Sequence, residues 1–88
     1  MKIIEFEKSI NKVINILEAE YTDKLNDGVL QLIYKRYKNS LNLIKDNELD
    51  SIRIMGGVRA YLDSYSDYTC PLVMAMDEAE TIYDEIMK

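Results

Sequence analysis

Histidine is absent from this 88-residue chain, and cysteine and proline occur once each. Without histidine, the chain lacks the commonest general base and the usual ligand of zinc, copper and iron. The single cysteine, Cys70, cannot form an intrachain disulfide or a thiolate metal site, which favours a reducing, cytoplasmic compartment. We expect Cys70 to pack beneath a helix start rather than act as a nucleophile, because no histidine can serve as its base. The sequence therefore predicts a protein that is not an enzyme.

Glycine is scarce as well, and its three residues do not form a phosphate-binding loop. Gly56-Gly57 lacks the spacing of a dinucleotide-binding motif and the lysine of a P-loop. The stretch DSYSDYT (63–69) lacks the glycine and glutamate that complete a calcium-binding loop. Glu80 and Asp84 can share a helix face, but no matching acid is predicted to face them from another helix. We therefore expect no catalytic residue, no bound cofactor and no bound metal.

Long apolar runs are also missing from the sequence. The longest, PLVMAM (71–76), is far too short to span a bilayer, so no membrane partner is expected. Glu5 and Glu7 interrupt the apolar residues at the N-terminus, which argues against a secretory signal peptide. The length predicts one domain over residues 1–88. Domains of this size often gain stability by dimerisation, so a homodimer stays open.

Charge is distributed unevenly along the chain. The net charge is −5, and it divides into +1 for residues 1–44 and −6 for residues 45–88. The acidic half disfavours nucleic acid as a partner and favours a basic protein surface. Isoleucine, lysine, asparagine and tyrosine, whose codons are AT-rich, make up more than a third of the residues. That composition indicates an AT-rich bacterial or phage genome.

Apolar residues recur at steps of three and four almost throughout, which predicts an all-α protein. We expect a small antiparallel bundle of about four helices, at roughly 3–21, 27–45, 51–66 and 71–87. Asp27 and Asp50 suit the N-caps of the second and third helices, and Pro71 suits the first turn of the fourth. The residues of helices one, two and four predicted to face the core are Ile3, Phe6, Ile10, Val13, Ile14, Leu17, Tyr21, Leu30, Ile33, Tyr37, Leu41, Ile44, Leu72, Ala75, Met76, Ala79, Tyr83 and Ile86.

The third helix is the ambiguous element, because Gly56-Gly57 interrupts it. Ile52, Met55 and Val58 keep helical spacing across the glycines, which favours one continuous helix. Two glycines inside a helix cost roughly 2 kcal/mol relative to alanine, unless they permit close packing against a neighbour. The alternative is a short strand in SIRIM (51–55) followed by a glycine turn. No second strand pattern is present to pair with it, so we expect the helix.

A candidate partner-binding surface combines the end of the third helix with the start of the fourth. Met74 is predicted to point away from the buried stripe of the fourth helix, on the side of two acids. Tyrosine near arginine and aspartate is typical of protein-binding hot spots, and methionine adapts to an opposing surface. Packing is the alternative role for the tyrosines of the 61–68 stretch. The candidate partner-binding residues are Arg59, Tyr65, Asp67, Tyr68, Val73, Met74, Asp77 and Glu78.

These patterns predict a small acidic protein that works through contacts with another protein. An immunity- or antitoxin-type inhibitor of a basic partner fits the charge. A homodimer with a structural or regulatory role is the first alternative, since the same surface could lie on a two-fold axis. A nucleic-acid-associated regulator is the second, through the basic and aromatic stretch YKRYK (34–38). The acidic remainder of the chain disfavours that second alternative.

Overall fold

Four α-helices account for most of the residues that the structure describes. The computed structural model describes residues 2–24, 28–65 and 70–87. The helices are α1 (Lys2–Glu20), α2 (Gly28–Lys45), α3 (Gly57–Tyr65) and α4 (Pro71–Met87). Two single 3₁₀ turns lie at Thr22–Lys24 and Leu49–Ser51. Over the described ranges the chain forms no strand, so the predicted all-α class and helical bundle are confirmed.

α1 packs most extensively against α4, and next against α2. Phe6, near the start of α1, stacks on Tyr83, near the end of α4, with ring centroids 5.4 Å apart. The Tyr34 hydroxyl, in the first half of α2, donates to Glu18 Oε2, near the end of α1, at 2.6 Å. Both pairs join the start of one helix to the end of another, so α1 is antiparallel to each neighbour. The fully buried residues of α1 are Phe6, Ile10, Val13 and Leu17.

Most of the residues predicted to face the core are buried there. Ile3 is the exception, with 37% of its surface exposed in the first turn of α1. Partial burial at the edge of the core is found for Tyr21, Leu41, Ile44 and Ile86. The helical period therefore identified the buried faces of α1, α2 and α4. It was wrong at Ile3, in the first turn of α1, where the helix extends beyond its neighbours.

α2 ends within the stretch KDNELD (45–50), where the helical pattern breaks. Asn47 has φ 60°, a left-handed conformation that asparagine tolerates better than most residues. The Glu48 N–H donates to the Leu43 carbonyl at 2.8 Å, and the Asn47 N–H donates to the Ile44 carbonyl at 3.2 Å. This pair of bonds is the Schellman motif, which satisfies carbonyls that would lack partners at a helix end.

The helix predicted over 51–66 is wrong in its first third. α3 begins only at Gly57, and Gly56 has φ 90°, which an α-helix does not allow. Asp50 lies in the 3₁₀ turn and does not cap α3. Asp27, the other predicted N-cap, falls outside the described residues. The correction arises because the glycines mark a turn, although the apolar spacing on either side happens to match a helix.

The segment before α3 is an extended piece of chain that ends in a turn. Ile52 is extended, with φ −68° and ψ 138°. Ile52 and Ile54 are buried while Arg53 and Met55 are exposed, and this alternation is typical of extended backbone. The Gly57 N–H donates to the Ile54 carbonyl at 3.1 Å, as in a type II turn with glycine at its third position. The strand alternative was right about the turn, but no strand forms here.

The two glycines should respond differently to the same substitution. Gly56→Ala should lower the free energy of unfolding by roughly 1–2 kcal/mol, because its positive φ strains any residue with a Cβ. Gly57→Ala is the matched control: its Cβ would lie 3.6 Å from Glu80 Oε2 and 3.7 Å from Met76 Sδ, both ordinary contacts. That variant should stay within about 1 kcal/mol of the parent. Urea unfolding followed by circular dichroism checks both, and a stabilised Gly56→Ala would contradict the turn.

Candidate functional site

Glu80 of α4 holds the start of α3 through its side chain. Its Oε1 accepts from the Gly56 N–H at 3.2 Å, and its Oε2 accepts from the Val58 N–H at 2.9 Å. The first amides of a helix have no partner within the helix, and negative charge near them is favourable. A side chain that caps such amides contributes about 0.5–2 kcal/mol. Glu80 thus performs, from a neighbouring helix, the role usually taken by an N-cap side chain.

The sequence analysis considered Glu80 only as a possible metal ligand beside Asp84, and it missed this role. The amides that Glu80 binds lie 22 and 24 residues earlier in the chain, so no local pattern announces the contact. The Ala60 N–H donates to the Gly56 carbonyl at 2.9 Å, which makes Gly56 the N-cap residue of α3. Glycine offers no capping side chain of its own. One feature of the sequence could have suggested the bond. Because α3 starts directly after a glycine, its first amides need an acceptor from an acidic side chain elsewhere in the chain.

A cluster of hydroxyl and thiol groups fixes the middle of α3. The hydroxyls of Tyr21 and Tyr61 lie 3.2 Å apart, and the Cys70 thiol donates to the Tyr61 hydroxyl at 3.6 Å. The two tyrosine rings meet edge to face, with centroids 6.5 Å apart. Tyr61 is 2% exposed, so packing is its role. Cys70 is buried just before α4, and its predicted position beneath a helix start is confirmed.

Tyr37 of α2 is buried beside the start of α3. Its ring carbon Cε1 lies 4.0 Å from the position that a Cβ on Gly57 would occupy. Within the described part of the chain, its buried hydroxyl has no hydrogen-bond partner. Burial raises the pKa of this phenol well above its usual value, and the negative charge of Glu80 adds to the shift. The hydroxyl therefore stays protonated at neutral pH.

Three of the predicted partner-binding residues share one exposed face of α4. Met74 is 66% exposed, and Asp77 and Glu78 follow it at three and four residues, the spacing of one helix face. Val73 is a correction, because it is only 7% exposed and belongs to the core. α4 packs against both α1 and α3, so its buried arc is wide enough to include Val73. The exposed apolar part of the face is therefore Met74.

The other predicted residues lie on or after α3. Arg59 is exposed on α3, the helix that packs beside α4. The Tyr65 side chain, Asp67 and Tyr68 fall outside the described residues, so their prediction stays a prediction. The structure thus brings Met74, Asp77 and Glu78 together.

The basic and aromatic stretch of α2 is partly engaged in internal contacts. Tyr34 bonds to Glu18, and the Lys38 ammonium lies 5.8 Å from the centre of the Tyr34 ring. Tyr37 faces the core. Lys35 remains exposed, and Arg36 is half-buried. The stretch therefore combines core packing with a charged outer face.

The described residues form neither a metal-binding cluster nor a membrane-spanning helix. Among the described side chains, no group of three or more acidic or cysteine residues could hold a metal ion. Glu80, the acid considered for such a site together with Asp84, binds backbone amides instead. Over the same ranges no helix has the length and apolarity that crossing a bilayer requires.

Comparison with known proteins identifies a family. A family model described as "YeeD uncharacterised protein" matches residues 1–88, the whole of the chain. Neither the curated proteins nor the solved structures give a match. The description of the family names no activity, ligand or partner.

Alkaline titration should reveal the buried phenols. Burial raises the pKa of Tyr37 and Tyr61 above that of tyrosine in an unfolded chain, which is about 10. Their contribution to stability is therefore complete below about pH 10 and is lost as the pH rises further; for the deeply buried Tyr37 the loss is about 1.4 kcal/mol per pH unit. Tyrosinate absorbance should show groups that ionise only as the protein unfolds. Tyr37→Phe should remove one of them, and a parent whose tyrosines all ionise near pH 10 while folded would contradict the burial.

Proposed function

The chain belongs to the family described as YeeD uncharacterised protein, and we propose that it acts without catalysis, by binding another protein through the exposed face of α4. The proposed contact surface is the α4 face, defined as Met74, Asp77, Glu78 and Thr81. Arg59 on the neighbouring helix extends it, as do Tyr65, Asp67 and Tyr68 in the proposal. The observation that carries the proposal is the exposure of Met74.

Met74 differs from the other apolar residues in the first half of α4. Leu72, Val73, Ala75 and Met76 are all buried, whereas Met74 leaves two thirds of its surface in water. A single exposed apolar residue is ordinary on a protein surface. Here it is flanked by acids, and an apolar centre with a charged rim is the usual anatomy of a protein interface. The flexible thioether of methionine also suits adaptation to an opposing surface.

Charge favours a basic partner for the α4 face. Residues 45–88 carry a net charge of −6, and Asp77 and Glu78 are both exposed beside Met74. Complementary charge speeds the encounter of two proteins and selects against acidic surfaces. An immunity- or antitoxin-type inhibitor, which covers a basic region of its target, is the form of this function that best fits the acidity. The same charge should make the affinity fall as salt concentration rises.

A homodimer built on the α4 face is the alternative, and the acids disfavour it. A two-fold axis through Met74 would bring Asp77 and Glu78 of one copy close to the same residues of the other. Like charges held close together at an interface oppose association. A heterologous basic partner avoids that repulsion.

The proposed location is a bacterial cytoplasm, and nucleic acid is the alternative partner. A bacterial cytoplasm suits the AT-rich codon bias and the single, buried thiol of Cys70. Nucleic acid is the less favoured partner because the net charge is negative. Its support is the basic and aromatic stretch YKRYK (34–38), whose Lys35 and Lys38 are exposed on α2.

Site-specific photocrosslinking tests the α4 face directly. A photoreactive amino acid replaces Met74 in one variant and Leu32 in the control variant. Leu32 lies on α2 and is 44% exposed. Crosslinking in bacterial cells should give a discrete protein product from position 74 and none from position 32. Mass spectrometry identifies the product, which we expect to be a protein with a basic surface. A crosslink to a second copy of the chain would support the homodimer, and products at both positions in equal yield would overturn the site.

The partner identified by crosslinking is then purified in its free form. The affinity of the chain for this partner tests the contribution of Met74 to binding. Met74→Asp should weaken binding by at least about tenfold, because it places a charge at the apolar centre of the contact. Leu32→Asp makes the same chemical change on α2 and should leave the affinity within about twofold of the parent. Isothermal titration calorimetry measures both, with circular dichroism as a check on folding. Equal affinity for the two folded variants would show that the α4 face is not the binding site.

A further inference from the structure

A cavity that is widely open to solvent lies between α2, the extended segment before α3, and α4. Its volume is about 880 Å³, within the range of pockets that hold small organic molecules. After the turn at Asn47, the extended segment lies beside the middle of α2, and the cavity lies between them. The lining residues are Lys35, Arg36, Asn39, Ile52, Arg53, Met55 and Tyr83. None of them belongs to the α4 face, so the cavity is independent of the proposed protein contact.

The charge of the cavity is opposite to that of the protein. Lys35, Arg36 and Arg53 line it, and among the described lining residues none is acidic. The whole chain carries a net charge of −5, so a basic pocket is not a consequence of overall composition. Three like charges around one cavity repel each other, and a bound anion would relieve that repulsion. Two of the three are arginines, whose planar guanidinium groups bind carboxylate and phosphate with two parallel hydrogen bonds.

The floor of the cavity is apolar and firmly held. Ile52 and Tyr83 are 3% and 8% exposed, and both belong to the core. The Tyr83 hydroxyl donates to the Leu49 carbonyl at 2.8 Å, while its ring stacks on Phe6. Met55 is half exposed and adds a flexible apolar wall. A ligand that only presented charge would leave this apolar surface uncovered.

We infer that this cavity binds a small organic anion, with a carboxylate or phosphate group held by the arginines and an apolar or aromatic body resting on Ile52, Met55 and Tyr83. Asn39 supplies an amide that can donate to, or accept from, a polar group of the ligand. Apolar walls combined with a few placed polar groups are the usual composition of a small-molecule site. An inorganic anion would use the charges alone, and a neutral apolar molecule would use the floor alone.

Nuclear magnetic resonance titration with four probes tests the inference. The probes are phenyl phosphate, benzoate, inorganic phosphate and benzyl alcohol, which separate the two charged groups from the aromatic body. Phenyl phosphate or benzoate should shift the backbone amide signals of Arg53 and Met55, with a dissociation constant near or below roughly 1 mM. Inorganic phosphate and benzyl alcohol should each bind at least roughly tenfold more weakly, because each lacks one half of the recognised chemistry. The tighter of the two aromatic anions identifies the preferred charged group.

Variants locate the binding within the cavity. Arg53→Ala should weaken binding of the preferred probe roughly tenfold, and Met55→Asp, at a half-exposed position that tolerates a charge, should do the same. Lys12→Ala removes one positive charge on α1, away from the cavity, and should leave the affinity within about twofold. Equal losses from Arg53→Ala and Lys12→Ala, or inorganic phosphate binding as tightly as phenyl phosphate, would overturn the inference. Binding that depends on Lys38 and Lys45, outside the cavity, would indicate an extended polyanion surface and would overturn it as well.

Discussion

Glu80 accepts two hydrogen bonds from backbone N–H groups, one just before α3 and one within it, and these bonds determine how the second half of the chain is arranged. α3 has only nine residues, too few to be stable as an isolated helix. Glu80 satisfies amides at its start, and the Tyr21–Tyr61–Cys70 cluster holds its middle against α1 and the beginning of α4. The extended segment that precedes α3 lies beside α2, where Arg53 and Met55 line one cavity together with Lys35. The carboxylate of one helix thus positions a neighbouring helix and the chain that leads into it.

That arrangement separates two surfaces of opposite charge. The cavity lies where the extended segment passes over α2, and Arg53 of that segment lines it. The position of Arg53 therefore depends on Glu80, which fixes the end of the segment. The α4 face carries Asp77 and Glu78, and its exposure depends on α3 covering only one side of α4. A protein with net charge −5 can therefore present a basic pocket and an acidic face. The two proposed contacts are compatible in one molecule, since they share no residue.

The helical period of the sequence was sufficient to predict α1, α2 and α4 and most of their buried residues, with Ile3 and Val73 as the exceptions. The end of α2 at Lys45 was also predicted, because the apolar spacing breaks in KDNELD (45–50); the left-handed Asn47 is visible only in the structure. The start of α3 could not be predicted in the same way. Ile52 and Met55 match a helical period by coincidence, and the cap comes from Glu80, more than twenty residues away. Val73 was misassigned for a similar reason, since α4 packs against two helices and its buried side is wider than one apolar stripe.

Hydrogen exchange of individual backbone amides tests the central role of Glu80 most directly. Three proteins are compared: the parent, Glu80→Ala and the control Glu78→Ala. The control makes the same change at an exposed acid of the same helix. Exchange of the Val58 amide and of the following amides of α3 should become at least roughly tenfold faster in Glu80→Ala, as loss of a helix cap predicts. Amides in the middle of α1 should keep their parental rates, and Glu78→Ala should behave like the parent. Unchanged exchange across α3 in Glu80→Ala, or equal acceleration in both variants, would contradict the account.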